Sequence, residues 1–454
     1  MASAAEQLAA NMNFGAFAKA TDLHKRIWFT LIAMIVFRLG CYIPIPGIDA
    51  AEFARQFETQ QQGILGMFNV FSGGAVQRMA ILTLNVMPYI SASIIVQLLG
   101  TVYPPWEKLK KEGGEAGRKQ LNQYTRYLTV LLALFQASGI AFGLQGNAQL
   151  VHTPGIGFVV STVATLVGGT MFLMWLGEQV TARGVGNGVS LIIFAGIVAR
   201  LPVAVYQLFT QAQTGKLNGF TLILMMVGAI GIIAFIVFME RSQRRLVIQY
   251  PKGQGNQGMV GRDQSFLPLK INTSGVIPPI FASSLLFLPQ TIVGFLASKS
   301  DLPAWASFLP QLAADLGHGK PAYIALYGLL IVFFCFFYTS VVFNPQDTAE
   351  NLRKYGGFIP GIRPGARTAE YLEYVLTRLT VIGAAYIAAV CLLPEALMAN
   401  GTMSSFYFGG TSILIVVSVT MDTVSQIQSH LLAHQYEGLI KKNRLRGGRG
   451  RGGQ

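Results

Sequence analysis

The sequence predicts an all-α membrane protein with ten transmembrane helices. Of its 454 residues, 52% are hydrophobic and only 12% are charged, about half the charged fraction of a soluble domain. Apolar segments long enough to cross ~30 Å of hydrocarbon recur along the chain at residues 27–43, 79–103, 127–144, 157–176, 188–208, 220–239, 273–297, 323–343, 379–397 and 408–427. No alternating strand pattern recurs, which argues against a β-barrel and leaves a helix bundle.

The positions of Lys and Arg predict the orientation of the chain. With a cytoplasmic N-terminus, 27 of the 34 Lys and Arg residues fall in cytoplasmic segments. The opposite side then holds Arg55, Arg78, Arg200, Lys216, Lys299 and Lys320. Basic loops stay cytoplasmic, so both termini are expected there. The net charge of +14 then belongs to the cytoplasmic face and suits anionic lipid or an acidic or RNA-bearing partner.

Catalytic and cofactor-binding motifs are not found in the sequence. The Gly-rich turn at 184–188 has no preceding strand and no full dinucleotide-binding fingerprint. His430 and His434 share a helical face, but Leu431 stands where a zinc protease has Glu, so a polar helix face is favoured. The three cysteines fall in apolar spans without a CxxC motif. We therefore expect no enzyme, no cofactor and no metal.

The middle of the second to ninth spans is expected to be uncharged. Glu178, Glu240 and Glu395 lie at span ends. Ion-coupled transporters place acidic ligands in mid-span, so this pattern opposes a ten-helix secondary transporter of a small substrate, the main alternative. It favours a hydrophobic pathway that must close against ions.

A short apolar segment at 63–74 precedes the second span. Four apolar residues recur at one helical face there, namely Ile64, Met67, Phe68 and Phe71. An eight-residue helix is only ~12 Å long, so it cannot cross a bilayer. It either re-enters the bundle, which is tolerated where protein buries it, or lies flat at the interface. Interfacial helices usually carry Lys or Arg on the polar face, whereas this one has Asn69 and Ser72.

Several long stretches resemble the SecY protein-translocation channel family. They include "YIPIPGIDA" at 42–50, "MFNVFSGGA" at 67–75, "GTMFLMWLGEQVTARGVGNG" at 169–188, "GVIPPIFASS" at 275–284 and "GFIPGIRPG" at 357–365. The resemblance covers nearly the whole chain. It implies two pseudo-symmetric five-helix halves around an hourglass pore. The implied divisions are a cytoplasmic segment at 1–26, a first half at 27–208 with a plug at 63–74, a second half at 209–427 and a basic cytoplasmic tail at 428–454.

The function implied by this resemblance is that of a protein-conducting channel. It would pass unfolded secretory polypeptides across the bacterial cytoplasmic (inner) membrane and release hydrophobic segments sideways into lipid. A scaffold without a pore is a further alternative, which single-channel conductance would separate from a channel.

The family's pore ring and plug can be carried over residue by residue. The ring falls on Val86, Ile90, Val189, Ile193, Ile280 and Ile415. Within each i, i+4 pair both side chains can face one axis. A dry apolar constriction makes ion passage costly, although any one of these residues could equally face lipid or a neighbouring helix. The plug would comprise Ile64, Met67, Phe68 and Phe71, with Gly73 and Gly74 as its hinge.

The resemblance places the lateral gate between the second and seventh spans. Its candidate residues are Pro88, Ser91, Gln97, Asn272 and Pro278. Pro88 and Pro278 are expected to remove backbone hydrogen bonds within their spans and so to kink them. Ordinary helix-to-helix packing is the alternative role for the polar residues.

The cytoplasmic loops are expected to bind the machinery that drives the pore. Arg363, flanked by Pro360 and Pro364, would contact the motor or ribosome, together with Arg245. The loop tip near Gln257 departs from the basic pattern of the family, so contacts assigned to that tip are not carried over. The implied partners are SecE and SecG as a heterotrimer, the SecA motor ATPase, a translating ribosome, the accessory proteins SecD and SecF, polypeptides bearing signal sequences, and membrane lipids.

Overall fold

The computed structural model describes residues 21–59, 69–111, 113–145, 150–215, 219–250, 264–286, 320–399 and 410–447. These residues are mostly helical. In chain order the elements are α1 (Thr21–Gly40), α2 (Ala50–Thr59), α3 (Met87–Val102), α4 (Pro104–Lys111), α5 (Gly114–Gln145), α6 (Ile156–Arg183), α7 (Gly188–Gln213), α8 (Gly219–Arg241), β1 (Gln243–Gln249), β2 (Gln264–Lys270), α9 (Ile277–Leu286), α10 (Pro321–Val342), α11 (Pro345–Lys354), α12 (Ala366–Ala399) and α13 (Gly410–Gly447).

Within the described residues, seven helices are long and apolar enough to cross a membrane: α5, α6, α7, α8, α10, α12 and α13. The other predicted spans correspond to α1, α3 and α9. The prediction of an all-α, multi-pass membrane protein is therefore confirmed.

Two predicted spans begin later than expected. Residues 72–86 form turns instead of helix, and α3 starts only at Met87. Pro88 lies in the first turn of α3, and Pro278 lies in the first turn of α9. A helix leaves its first N–H groups without intrahelical partners, so proline costs no hydrogen bond there. The predicted kinks at these two prolines are therefore wrong. Residues 287–297 of the predicted seventh span lie outside the described residues.

The expectation of uncharged span interiors is also wrong at one position. Arg200 lies inside the predicted span at 188–208 and near the middle of α7 (Gly188–Gln213), so it does not belong with the loop residues of the opposite side. A charge at such a depth has to face the inside of the bundle or a polar cavity.

The surface of α8 is apolar and exposed. Six of its large apolar side chains are at least 60% exposed: Phe220, Ile223, Leu224, Val227, Ile230 and Phe238. Monomeric soluble proteins rarely expose an apolar patch of this extent. Lipid is a solvent in which such a surface is stable.

The helices form two packed groups that meet around one apolar core. Helices α1, α3, α5, α6 and α7 contact one another, and α10, α12 and α13 form a second group joined by α8. Helices α1 and α7 both contact α13, which connects the groups on one side. The largest buried cluster includes side chains from both groups.

A cap of loops closes one end of the first group. Single bridges join Pro44 to Ala80 and Ile48 to Val151. The Asp49 carboxylate caps α2 by accepting from the backbone N–H groups of Glu52 and Ala51, at 3.1 and 3.0 Å. These two N–H groups lower the pKa of Asp49.

A β-hairpin follows α8, where the sequence analysis expected only a loop. Strand β1 pairs antiparallel with β2, from Gln243 opposite Lys270 to Gln249 opposite Gln264. Leu246 and Ile248 are buried on one face of β1. This alternation is the sequence signal for a half-buried strand, but it is too short to stand out beside the apolar spans.

Candidate functional site

Five of the six predicted ring residues are buried in the largest apolar cluster of the described residues, and the sixth packs against it. Val86 and Ile415 are fully buried, and Ile90, Ile193 and Ile280 are at most 7% exposed. All five belong to the largest apolar cluster, and Val189 packs against it. These residues come from the start of α3, from α7, from α9 and from α13. The cluster as a whole is apolar and includes side chains from both helix groups.

Local capping positions the α7 members of this ring. The side chain of Asn187 accepts from the backbone N–H groups of Val189 and Ser190, at 3.1 and 3.3 Å. The N–H of Gly188 donates to Thr181 Oγ1 at 2.8 Å. A Cβ on Gly188 would lie 1.9 Å from the carbonyl oxygen of Gly177. The close crossing of α6 and α7 therefore requires glycine there, and it sets Val189 in the first turn of α7.

The described end of the predicted plug lies inside the bundle. Phe71 is 6% exposed and belongs to the same apolar cluster as the ring. Asn69 and Ser72 are each 1% exposed, and Asn69 Oδ1 accepts from the N–H of Gln77 at 3.0 Å. An interfacial helix would turn these polar side chains toward water, so the flat arrangement does not fit residues 69–74. Ile64, Met67 and Phe68 lie outside the described residues, and the role of the segment as a plug stays a prediction.

The two predicted gate helices touch through a weak polar contact. The hydroxyl of Ser284 on α9 donates to the sulfur of Met87 on α3 at 3.9 Å. Ser91 and Pro278 are buried nearby in their respective helices. Thioether sulfur is a weak acceptor, so this contact is readily broken.

Asn272 joins the start of the seventh span to the end of the sixth. Its Nδ2 donates to Glu240 Oε1 at 2.6 Å and to the carbonyl of Gly275 at 3.2 Å. Its Oδ1 accepts from the hydroxyl of Ser274 at 3.1 Å. The sequence analysis placed Asn272 at the gate but missed Glu240 as its partner, because the two residues are separated by the whole hairpin.

A cavity of about 1360 Å³ separates α3 and α5 from α10 and α12. Gln97 lines it, and Gln97 Nε2 donates to Ser93 Oγ at 3.2 Å. Gln97 Oε1 is buried and has no hydrogen-bond partner among the described residues. Thr339 and Thr377 line the opposite wall. The two helix groups therefore border a polar space between α3 and α5 on one wall and α10 and α12 on the other.

The predicted motor-contact loop is braced against the hairpin. Phe358 and Gln249 exchange two backbone hydrogen bonds of 3.0 and 2.9 Å. Ile359 is buried in a cluster with Leu246 and Leu372. This anchoring holds the exposed part of the loop on a rigid base.

The four residues predicted for this contact are exposed. Pro360, Arg363 and Pro364 lie on the loop, and Arg245 lies on β1 opposite Pro268. The sequence analysis missed the hairpin that supports them.

Among the described residues, no group of His, Cys, Asp and Glu could hold a metal ion. Cys41, Cys335 and Cys391 are buried free thiols. Neither observation indicates a metal-binding or redox site among the described residues.

Comparison with known proteins gives one consistent result. The SecY family model matches residues 80–424. The protein translocase subunit SecY of Rickettsia bellii is 50% identical over 440 residues, covering 96% of this chain and 100% of that protein. The SecY proteins of Vibrio cholerae and Escherichia coli K12 are 51% and 50% identical, and each alignment covers 94% of this chain and 96% of the relative.

Solved structures with the same fold are more distant in sequence. A structure described as that of a protein conducting channel has a TM-score of 0.64 at 16% identity and covers 90% of this chain and 92% of that one. Sec61 from a canine ribosome–channel complex has a TM-score of 0.61 at 16% identity, with the same coverage. At this identity the likeness concerns the fold alone.

Proposed function

The chain belongs to the SecY family, and from that premise we propose that its apolar ring is the closed waist of a protein-conducting channel. The chain is a protein translocase subunit and not an enzyme. It passes unfolded secretory polypeptides across the membrane and releases hydrophobic segments into the bilayer. The comparisons do not support the secondary transporter.

The observation that carries the proposal is the burial of the ring residues in one apolar cluster that joins the two helix groups. Val86 and Ile415 are far apart in the chain, yet both are fully buried in one cluster. A narrow apolar constriction expels water, and ions then lose their hydration. β-branched side chains have few χ1 rotamers, so the ring is stiff at rest and slim enough to part for a polypeptide.

The segment 63–74 acts as the plug in this proposal. The burial of Phe71 in the same cluster as the ring supports it, because movement of this segment would uncover the waist. Gly73 and Gly74 have φ angles of +67° and +90°, a region that favours glycine. They form the turn about which the segment swings.

Lateral release takes place between α3 and α9. Support comes from the weak Ser284–Met87 contact and from the cavity beside Gln97, which together leave this side less tightly joined than the α7–α13 side. Hydrophobic segments of the substrate leave by this route because lipid solvates them better than the pore does.

The partners and location follow from the family. SecE and SecG complete the heterotrimer, SecA or a translating ribosome drives transport, SecD and SecF assist, and signal-sequence-bearing polypeptides are the substrates. A ribosome contact is described for the solved canine Sec61. The excess of Lys and Arg on one side supports cytoplasmic termini in the bacterial inner membrane. Anionic membrane lipids neutralise this face.

Crosslinking tests the proposed pathway. A photoactivatable residue at Ile90 should react with a stalled secretory precursor, because Ile90 faces the path. The matched control is the same probe at Ile230, which is 65% exposed on α8 and faces lipid. Equal labelling from both sites, or none from Ile90 while the precursor is engaged, would exclude a pathway through the ring.

A further inference from the structure

The backbone carbonyls of residues 71–73, at the end of the plug, each accept a hydrogen bond from a side chain. Asn85 Nδ2 donates to the carbonyl of Phe71 at 2.8 Å. The next two carbonyls accept from the thiol of Cys41, at 3.5 Å, and from Arg38 Nη1. Two donors come from the end of the first span and one from the segment before α3. Three consecutive acceptors are therefore fixed by two separate parts of the chain.

The opposite side of this stretch rests directly on the backbone of α7. A Cβ on Gly196 would lie 2.4 Å from the carbonyl oxygen of Phe71 and 3.2 Å from the N of Gly73. Likewise, a Cβ on Gly73 would lie 3.0 Å from the Cα of Gly196. Glycine destabilises the interior of a helix. Its presence at position 196 of α7 is explained by the close approach of the plug end, which leaves no room for a Cβ.

Three arginines surround the same turn. Arg200 Nη1 donates to Gln77 Oε1 at 3.0 Å, and Arg78 lies 4.0 Å over the ring of Tyr42. Arg78 Nη1 is buried and has no hydrogen-bond partner among the described residues. Nor does any ion pair within the described part of the chain include Arg38, Arg78 or Arg200. Like charges repel at such short range, so the plug carbonyl that binds Arg38 helps to hold this cluster together.

We propose that residues 71–73, the side chains of Arg38, Cys41 and Asn85, and the bare backbone at Gly196 form a latch that holds the plug closed. The proposal rests on the proposed role of 63–74 as a plug. All of these contacts exist in the closed arrangement and are lost when the plug end leaves α7. Contacts made in one state alone set the population of that state. The latch therefore determines how often the resting channel opens.

The first test adds one methyl group at Gly196, the point of α7 on which residues 71–73 pack. Gly196→Ala places a Cβ against the Phe71 carbonyl and should displace the plug end. We expect the resting ion conductance of reconstituted channels to rise about tenfold, equivalent to ~1.4 kcal/mol. The matched control is Gly168→Ala on α6, where an added Cβ meets nothing within 4 Å. Its conductance should equal that of the wild type.

A second variant removes a donor without adding bulk. Asn85 has φ +50°, a conformation that Asp also tolerates. Asn85→Asp keeps the side-chain shape but faces the Phe71 carbonyl with oxygen in place of N–H. It should raise resting conductance in the same direction as Gly196→Ala. If Gly196→Ala is degraded, the resting conductance of Asn85→Asp tests the latch alone. Degradation of both variants would show that Gly196 and Asn85 are needed for folding and would overturn the latch.

Combination with a plug deletion separates the latch from a general distortion of the ring. In a channel lacking residues 63–74, Gly196→Ala should add nothing further, because its target is gone. A further rise in conductance when Gly196→Ala is added to the plug deletion would overturn the latch. So would a resting conductance of Gly196→Ala and of Asn85→Asp that is no higher than that of Gly168→Ala. Precursor transport by the wild type is measured in parallel. Its absence would contradict the proposed function and not the latch.

Discussion

Arg363 combines exposure with a preformed backbone. Pro360 and Pro364 restrict φ on either side of it, and its carbonyl accepts from Thr368 Oγ1 at 3.0 Å. Little conformational entropy is lost when such a loop docks. Its planar guanidinium can bind a carboxylate or phosphate with two hydrogen bonds, which Lys cannot do.

We expect Arg363→Glu to assemble normally but to lose productive coupling to the motor. Breaking a charge pair in an interface costs ~2–5 kcal/mol, which corresponds to a loss of about 30-fold or more. SecA ATPase stimulation and precursor export in inverted vesicles measure this loss, and Arg363→Lys should be intermediate. The control is Arg353→Glu, the same charge change at an exposed site on α11. Normal export by Arg363→Glu, or its degradation, would contradict the assignment.

The ring residues can be tested by removing their side chains. Val86→Gly combined with Ile193→Gly should raise resting conductance, because widening the waist lets water enter. The matched pair is Val227→Gly with Ile230→Gly, which removes the same two side chains from the 61% and 65% exposed surface of α8. A change in thermal stability without a change in conductance would show that Val86 and Ile193 serve only in packing.

Among the elements, the plug segment is the one whose removal should be tolerated. Deleting residues 63–74 should leave a folded channel that leaks ions and accepts defective signal sequences, because only the closed state uses its contacts. Ion flux into proteoliposomes measures the leak. A deletion of equal length at 251–262, in the connection between β1 and β2, is the control and should stay tight. Unchanged permeability after the plug deletion would contradict the plug assignment.

Over the whole molecule, the two helix groups are joined less tightly between α3 and α9 than between α7 and α13. This difference predicts that the channel opens toward lipid between α3 and α9. A short crosslink between cysteines introduced at Met87 and Ser284 should join α3 to α9 and block release of hydrophobic segments, since the hydrogen bond that joins these two helices within the described residues is weak. The control is a crosslink between Arg126→Cys and Glu178→Cys, which replaces a 2.7 Å ion pair within one group. Membrane insertion assays distinguish the two. Full insertion through the Met87–Ser284 crosslink would place the gate elsewhere.

The sequence by itself determined the class of fold and most of the spans. A bilayer imposes a fixed length and requires every backbone polar group to be bonded within its own helix, so the signal is local and survives without knowledge of tertiary contacts. The motif at 357–365 was recognised from the sequence through the family resemblance, which also supplies the ring positions as a prediction. The start of α3 did not, because the apolar residues 79–86 look helical but are held in turns by distant partners.

Only the tertiary structure decided which side chains donate to residues 71–73 and which partner Arg200 has. The donors to residues 71–73 stand 14, 31 and 35 positions away along the chain, and Gly196 lies further still. The hairpin depends in the same way on a bridge from Gln249 to Phe358. The hydrophobicity that predicts a span is averaged over residues adjacent in the sequence. Hydrogen-bond partners and backbone contacts instead depend on how separate helices pack, and no short stretch of the sequence specifies that packing.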